Sequence, residues 1–371
     1  KGLDSKGRRK IIFNLLQILQ GERLAEHLPA YIMQKLKLMD RHQAAINVHF
    51  PKNEEDLKQA MRRTKFDEVF YFQLRMCQLK AHRAEHIKGL VFDKVGDHFL
   101  RFYDECIPFE LTGAQKKVIK EIRIDLGSGK QMNRLLQGDV GSGKTMVGLL
   151  TMLLAIDNGF QACMIAPTEI LAQQHYASLS EDLEKLDIEV GYLSGSVKGK
   201  KRKALLEKLA AGELDILIGT HAVLMDPVIF KNLGLAITDE QHRFGVAQRS
   251  QLWKKNRPIP PHILVMTATP IPRTLAMTAY GDLDVSQIDE LPPGRKPITT
   301  LHKTEENRLY VFGFMRKLIA AGQQVYIVYP LIEESATLDL NNLMQGYESL
   351  ERDFPKPEYQ ISIVHGRMKT E

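Results

Sequence analysis

The chain has 371 residues, 44% of them hydrophobic and 26% charged, with a formal net charge of +6. That is the make-up of ordinary globular protein with room for two or three domains, and it excludes fibrous and disordered chains. No apolar run reaches the ~20 residues of a membrane span, the opening KGLDSKGRRK lacks the apolar stretch of a signal peptide, and Cys77, Cys106 and Cys163 are too scattered for a zinc or disulfide framework. A soluble cytoplasmic protein with plain thiols is expected. The start at lysine, and the end just past a strand-like ISIVHG, suggest an excised piece.

Residues 1–110 read as a helical segment and hold most of the positive excess, 20 Lys and Arg against 15 Asp and Glu. That bias suits either a polyanion or a solvated helical surface. Ile11, Ile12, Leu15, Leu16, Ile18 and Leu19 have helical spacing between Arg9 and Gln20. Pro51 stops one element and Asn53 caps the next, with Glu54, Glu55 and Asp56 in its first turn. The pattern then stays helical to about Leu90, and Phe66, Val69, Phe70, Leu74 and Cys77 share one side, expected to pack into a core rather than to serve as a base-stacking platform.

From Leu111 the texture changes to short β-branched runs between helices. Strands are predicted at Asn133–Gln137, Gln161–Ala166, Ile188–Leu193, Asp215–Gly219, Leu235–Thr238 and His262–Met266, and a helix at Lys144–Ile156. This alternation predicts an α/β fold, a parallel sheet wound with helices over 111–290. Leu291-Pro292-Pro293-Gly294-Arg295 suits a linker. Beyond it, in 291–371, a helix near Asn307–Ala321 and strands near Val325–Tyr329 and Ile361–Val364 begin a second α/β lobe.

Residues 138–145 read GDVGSGKT, a phosphate loop between a strand and a helix. Gly138, Asp139, Val140, Gly141, Ser142 and Gly143 turn backbone N–H groups inward, Lys144 supplies a point charge for the β/γ-phosphates, and Thr145 is a Mg²⁺ ligand. Downstream, LGLAI runs into Asp239-Glu240. Asp239 would hold the metal through water, and Glu240 would orient and deprotonate the attacking water. In a parallel sheet ligands sit at the carboxyl ends of strands, where the loop, the two acids and Thr267-Ala268-Thr269 all fall.

These motifs, with FELTGAQ, APTEILAQQH, LSGSVKG, IGTHAVL, DEQHRFGVAQR, TATPIPRTL, LPPGR and IVHGRM, resemble those of superfamily 2 helicases, and within them the RecG type of bacterial branch-migrating DNA helicase. Gln241, where the transcription-repair coupling factor and the primosomal helicase usually carry Glu, and Ser142, where the coupling factor usually carries Phe, favour that type. The resemblance implies two RecA-like lobes closing on ATP and Mg²⁺: a complete P-loop NTPase lobe at 111–290, a partial second lobe at 291–371, and a helical segment that follows a wedge domain. It also implies an ATP-dependent helicase on branched or forked DNA in DNA repair and recombination, monomeric and in the bacterial cytoplasm. Without later second-lobe motifs, turnover is expected to be weak.

The resemblance further assigns Gln115 to the adenine edge, with Phe109 packing on the base. Gln241 and His242 would sense the γ-phosphate, and Thr267 and Thr269 would relay nucleotide state to the DNA. Thr168, Gln173, Ser194, Gly195, Thr220 and His221 are the implied DNA-facing loop residues, joined by Arg243, Phe244 and Arg273. The basic run Lys198, Lys200, Lys201, Arg202 and Lys203 reads equally as a nucleic-acid patch or a solvated helix start. Two rivals remain from the sequence: a coupling-factor-type translocase, and a nucleotide-dependent DNA-binding module without turnover.

Overall fold

A computed structural model describes residues 4–18, 22–240, 252, 255, 258–269, 283–292, 298–328 and 346–364. The N-terminal part is built from α1 (Ser5–Ile18), α2 (Ala30–Leu36), α3 (Arg41–His49) and α4 (Glu54–His86). Local side chains start the later two helices: Asp40 accepts from the N–H groups of His42 and Gln43, and Asn53 accepts from that of Asp56 at 2.8 Å. α4 runs 33 residues and stops before Leu90. Just beyond it the backbone is captured by residues 129–130, where Gly89 N–H donates to Gly129 O and a β-carbon on Gly89 would stand 2.2 Å from the Lys130 carbonyl.

A charge cluster ties α4 to the preceding helices. Arg63, 1% exposed, donates to both oxygens of Glu26 at 2.6 and 2.9 Å, to Asp67 at 2.9 Å and to Met39 O at 2.7 Å. The expected core side of α4 is not buried. Phe66 and Phe70 stack on each other at 5.4 Å, while Val69, Leu74 and Cys77 are exposed. Helical spacing put these residues on one side, but most of that side stays exposed, with Phe66 and Phe70 half-buried against each other and Tyr71 edge-on to Phe70.

The α-helices and strands that follow among the described residues up to 290 are α5 (Asp97–Arg101), α6 (Gly113–Leu126), β1 (Asn133–Gly138), α7 (Lys144–Asp157), β2 (Gln161–Ile165), α8 (Glu169–Leu183), β3 (Val190–Leu193), α9 (Gly199–Ala211), β4 (Ile216–Gly219), β5 (Leu233–Thr238), β6 (His262–Thr267) and β7 (Asp284–Ile288). The strands form one sheet in the order β3-β4-β2-β5-β6-β1-β7, each neighbouring pair parallel. Alternate residues feed two cores. Leu136, Met164, Ile218, Ile237 and Met266 pack with Ile122, Leu149 and Leu153 of α6 and α7 on one face. Leu135, Cys163, Leu217, Ala236 and Val265 pack with Leu209, Val228 and Phe230 on the other. Burial on both faces explains why these strands read as continuous apolar runs.

The edge strand β7 was not expected from its sequence, DVSQI, which lacks such a run. It pairs in parallel with β1 and buries Ile288, and polar contacts fasten it: Ser286 Oγ accepts from Arg134 at 2.6 Å and donates to Glu121, and Asp284 pairs with Lys80 of α4.

The chain divides into two compact units, 1–295 and 296–371, the break falling just after Arg295. In the second, α10 (Arg308–Ala320) and a helical stretch at 346–353 bury Phe312 and Met315 against Leu350 and Phe354. Residues 325–328 and 361–364 form no strand, contrary to the prediction there; Tyr329 lies outside the described residues. A β-branched run becomes a strand only with a ladder partner, and none of the described residues offers one.

Candidate active site

All seven described strands point the same way, so every strand-end motif lands on one edge of the sheet. Chain order does not predict their neighbours. The phosphate loop follows β1, Thr267-Ala268-Thr269 ends the adjacent β6, and Asp239-Glu240 follows β5, next along. Farther along the same edge come Thr168 after β2, Thr220 after β4 and Ser194 after β3.

The loop is shaped for an anion. Gly141 and Gly143 have φ of +73° and +87°, a region glycine enters without steric cost. No side chain caps α7, whose N-cap is Gly143, leaving the positive end of the helix dipole facing the loop. Lys144 is buried and its ammonium donates to the carbonyls of Gly138 and Asp139, both at 2.9 Å. Asp139 Oδ1 accepts from Val140 N–H, Val140 is exposed, and Ser142 Oγ is buried without a partner among the described residues. Thr145 is half-buried in the first turn of α7.

Gln115 braces this loop from behind. Thr112 and Gln115 form a capping box at the start of α6: Gln115 Oε1 accepts from Thr112 N–H at 2.8 Å, and its Nε2 donates to Ser142 O at 2.8 Å. The residue is 1% exposed, so here its carboxamide holds the loop, with one N–H and one lone pair to spare. Phe109 is half exposed in the segment leading to α6. Glu290, beyond β7, accepts from Ala114 N–H at 2.9 Å and completes the cap.

Asp239 Oδ1 accepts from Glu240 N–H at 3.1 Å, and Asp239 Oδ2 lies 2.8 Å from His175 Nε2 on α8. Glu240 has a left-handed backbone, φ +49°, a strained setting for a non-glycine residue. Its carboxylate turns to β6, where Oε1 accepts from Ala268 N–H at 3.2 Å. Thr267 and Thr269 bond hydroxyl to hydroxyl at 2.9 Å, and Thr267 Oγ1 also accepts from Thr269 N–H. Among the described residues no cluster of three or more His, Cys, Asp or Glu gathers to hold a metal. One carboxylate and one hydroxyl suit Mg²⁺, which keeps most of its waters and takes phosphate oxygens.

Of the expected DNA-facing residues, Thr168, Gln173, Gly195 and His221 are exposed. Ser194 and Thr220 are buried. Ser194 Oγ bonds Ser196 Oγ and shapes its loop, and Thr220 Oγ1 has no partner among the described residues. Lys200, Lys201 and Lys203 are exposed at the start of α9. Gln241, His242, Arg243, Phe244 and Arg273 lie outside the described residues. Sequence reasoning missed His175, the Ala268 N–H and Glu290. A histidine two turns into the helix after β2 becomes informative only once β2 is known to lie beside β5.

Sheet, loop and acid pair have the arrangement of a phosphate-loop nucleotide-binding core, and the DEAD/DEAH box helicase family matches residues 112–278, from the Thr112 cap past the Thr267–Thr269 turn. The chain is 46% identical over 349 residues to the ATP-dependent DNA helicase RecG of Synechocystis sp., covering 94% of this chain and 41% of that one. With its namesake from Bacillus subtilis it shares 45% identity over 351 residues, 95% of this chain and 51% of the relative. A solved structure of RecG bound to a three-way DNA junction superposes with a TM-score of 0.74 at 38% identity, covering 92% of this chain and 45% of that one. The chain belongs to the RecG family and spans about half the length of the curated relatives it matches.

Proposed function

We propose that this chain is the motor core of a RecG-type helicase, hydrolysing ATP to move branched or forked duplex DNA in repair and recombination, as a monomer in the bacterial cytoplasm. The observation that carries the reading is the division of one sheet edge. Its β1-β6-β5 half bears the phosphate loop, the Thr267–Thr269 turn and the two acids, and its β2-β4-β3 half bears exposed Thr168, Gln173, Gly195 and His221. Small and hydroxylated residues at strand ends let a phosphodiester backbone approach without reading its bases. No helix among the described residues is long and apolar enough to cross a membrane.

Binding a triphosphate draws Lys144 off the carbonyls of Gly138 and Asp139 onto the β/γ-phosphates, and the uncapped start of α7 receives the anion. Mg²⁺, when bound, neutralises charge on the phosphates; Thr145 and Asp239 are the residues that would hold it. Glu240 orients the attacking water, and to do so it lets go of Ala268 N–H. That release frees the Thr267–Thr269 turn, which makes β6 the path from nucleotide state to DNA. Gln241, His242, Arg243, Phe244 and Arg273 keep the coupling roles implied by the family motifs.

The test is ATPase activity with and without a synthetic fork, in wild type, Lys144→Ala and Glu240→Gln. Lys144→Ala is expected to lose nucleotide binding, and Glu240→Gln to bind ATP without hydrolysing it. Equal hydrolysis by Glu240→Gln and wild type removes Glu240 as the base; nucleotide binding with no response to any DNA in the full-length protein removes the motor.

A further inference from the structure

The histidine beside Asp239 has no part in the scheme above. His175 Nε2 and Asp239 Oδ2 are 2.8 Å apart, with side chains only 14% and 13% exposed. Asp239 is otherwise held by main chain: its N–H donates to Ile165 O at the end of β2 at 2.9 Å, and its Oδ1 accepts from Glu240 N–H. One carboxylate oxygen is thus fixed locally and the other by α8. Each oxygen keeps a second lone pair for the water of a metal.

We propose that His175 is the positioning residue of the metal-holding acid, and that through it α8 reports DNA engagement to the nucleotide site. The inference rests on the motor reading above for the roles of Asp239 and of the α8 end. α8 is a 15-residue helix capped by Thr168, whose Oγ1 accepts from Leu171 N–H at 3.3 Å, and Gln173 is exposed two residues before His175. The DNA-facing end and the Asp239 contact therefore ride on one rigid element. A hydrogen bond of this length is lost by about 3.5 Å, so a shift of α8 by about 1 Å separates an aligned carboxylate from a released one. Packing alone does not need a histidine here, because Ala172, Leu179 and Leu183 are buried along α8 and Tyr176 packs beside them. A leucine at 175 would keep the helix docked and lose the donor, whereas a glutamine amide reaches to a similar position and donates.

The experiment is a titration of a fluorescent ATP analogue in Mg²⁺ and in EDTA, with and without forked DNA, on wild type, His175→Leu and His175→Gln. In EDTA all three are expected to bind alike, showing an intact phosphate loop. The gain in affinity on adding Mg²⁺ falls about ten- to a hundredfold in His175→Leu, the scale of lost outer-sphere support at metal sites, and returns in His175→Gln. The effect of DNA on Mg²⁺-nucleotide affinity vanishes with it, since coupling of binding is reciprocal. His175→Leu matching a responsive wild type in both overturns the inference alone; a wild type with no Mg²⁺-dependent gain overturns the motor reading, and this one with it. Should the leucine variant not fold, His175→Asn, whose amide stops short of Asp239, replaces it under the same criteria.

Discussion

Gln115 and Gly143 occupy one another's space: a β-carbon on Gly143 would stand 2.2 Å from Gln115 Nε2, which donates to Ser142 O at 2.8 Å. Glycine is required there twice, by the carboxamide and by a φ of +87°. Gly143→Ala is expected to weaken ATP binding about tenfold or more, equivalent to about 1.4 kcal/mol. Adding Gln115→Ala removes the clash but not the backbone strain, so the double variant recovers part of the loss. Calorimetric titration of the four proteins checks this, and strictly additive losses would refute the shared space.

His262 gives the first unit a pH dependence. It is fully buried at the start of β6, edge-on to Phe92, with Nδ1 accepting from Met132 N–H and Nε2–H donating to Leu90 O, both at 2.9 Å. Burial holds its pKa down to about 4, against a small rise from the Leu90 bond. Between pH 6.5 and 4 the unfolded chain takes up a proton that the folded chain refuses. Stability is full above 6.5 and falls with pH through this window, by up to about 1.4 kcal/mol per pH unit. The difference in urea midpoint between wild type and His262→Gln, followed from pH 7 to 4, should shrink accordingly; a constant difference would be inconsistent with it.

Arg63 holds the N-terminal helices by charge rather than by apolar area. Arg63→Met keeps the stem but leaves Glu26 and Asp67, 25% and 22% exposed, without their guanidinium. A loss of about 3 kcal/mol is expected, near the lower end for breaking a buried pair because water still reaches both acids. Hydrogen exchange should show lost protection in α3 and α4 and little change in the sheet.

The same pair sets an acid limit. The hydrogen bonds from Arg63 hold the Glu26 carboxyl at about 2, against desolvation that raises it. A depressed carboxylate stabilises the fold above the unfolded value near 4.5, and the contribution is lost as pH falls from there towards 2. Helical signal from the N-terminal segment should therefore decline below pH 4.5 in wild type and less steeply in Glu26→Gln, starting from a lower stability.

Asp157, at the end of α7, caps another helix. Its carboxylate, 2% exposed, accepts from the N–H groups of Gly96, His98 and Phe99 and contacts His98 Nδ1 at 2.8 Å. Asp157→Ala leaves three donors unmet at the start of α5, a loss of about 2–4 kcal/mol in all. Thermal unfolding should report it, and exchange should place the loosening in residues 96–101.

The phosphate loop, the Asp239-Glu240 pair and most strands of the first unit were legible because their signals are local. Glycines at fixed spacing permit positive φ, and two-sided burial writes strands as apolar runs. The Asn53 cap was legible for the same reason, since a cap acts within three residues. Tertiary structure alone decided the rest. β7 is a strand because β1 offers it a ladder partner and buries Ile288, with Arg134 and Glu121 holding Ser286, although its sequence carries no apolar run. Most of the apolar side of α4 stays exposed, and 325–328 and 361–364 are not strands, because burial and pairing belong to the neighbour and not to the segment. Gln115 faces the loop because α6 packs against β7 and α7. His175 meets Asp239 from 64 residues away because β2 lies beside β5: strand order is a property of the assembled sheet, and no periodicity along the chain encodes it.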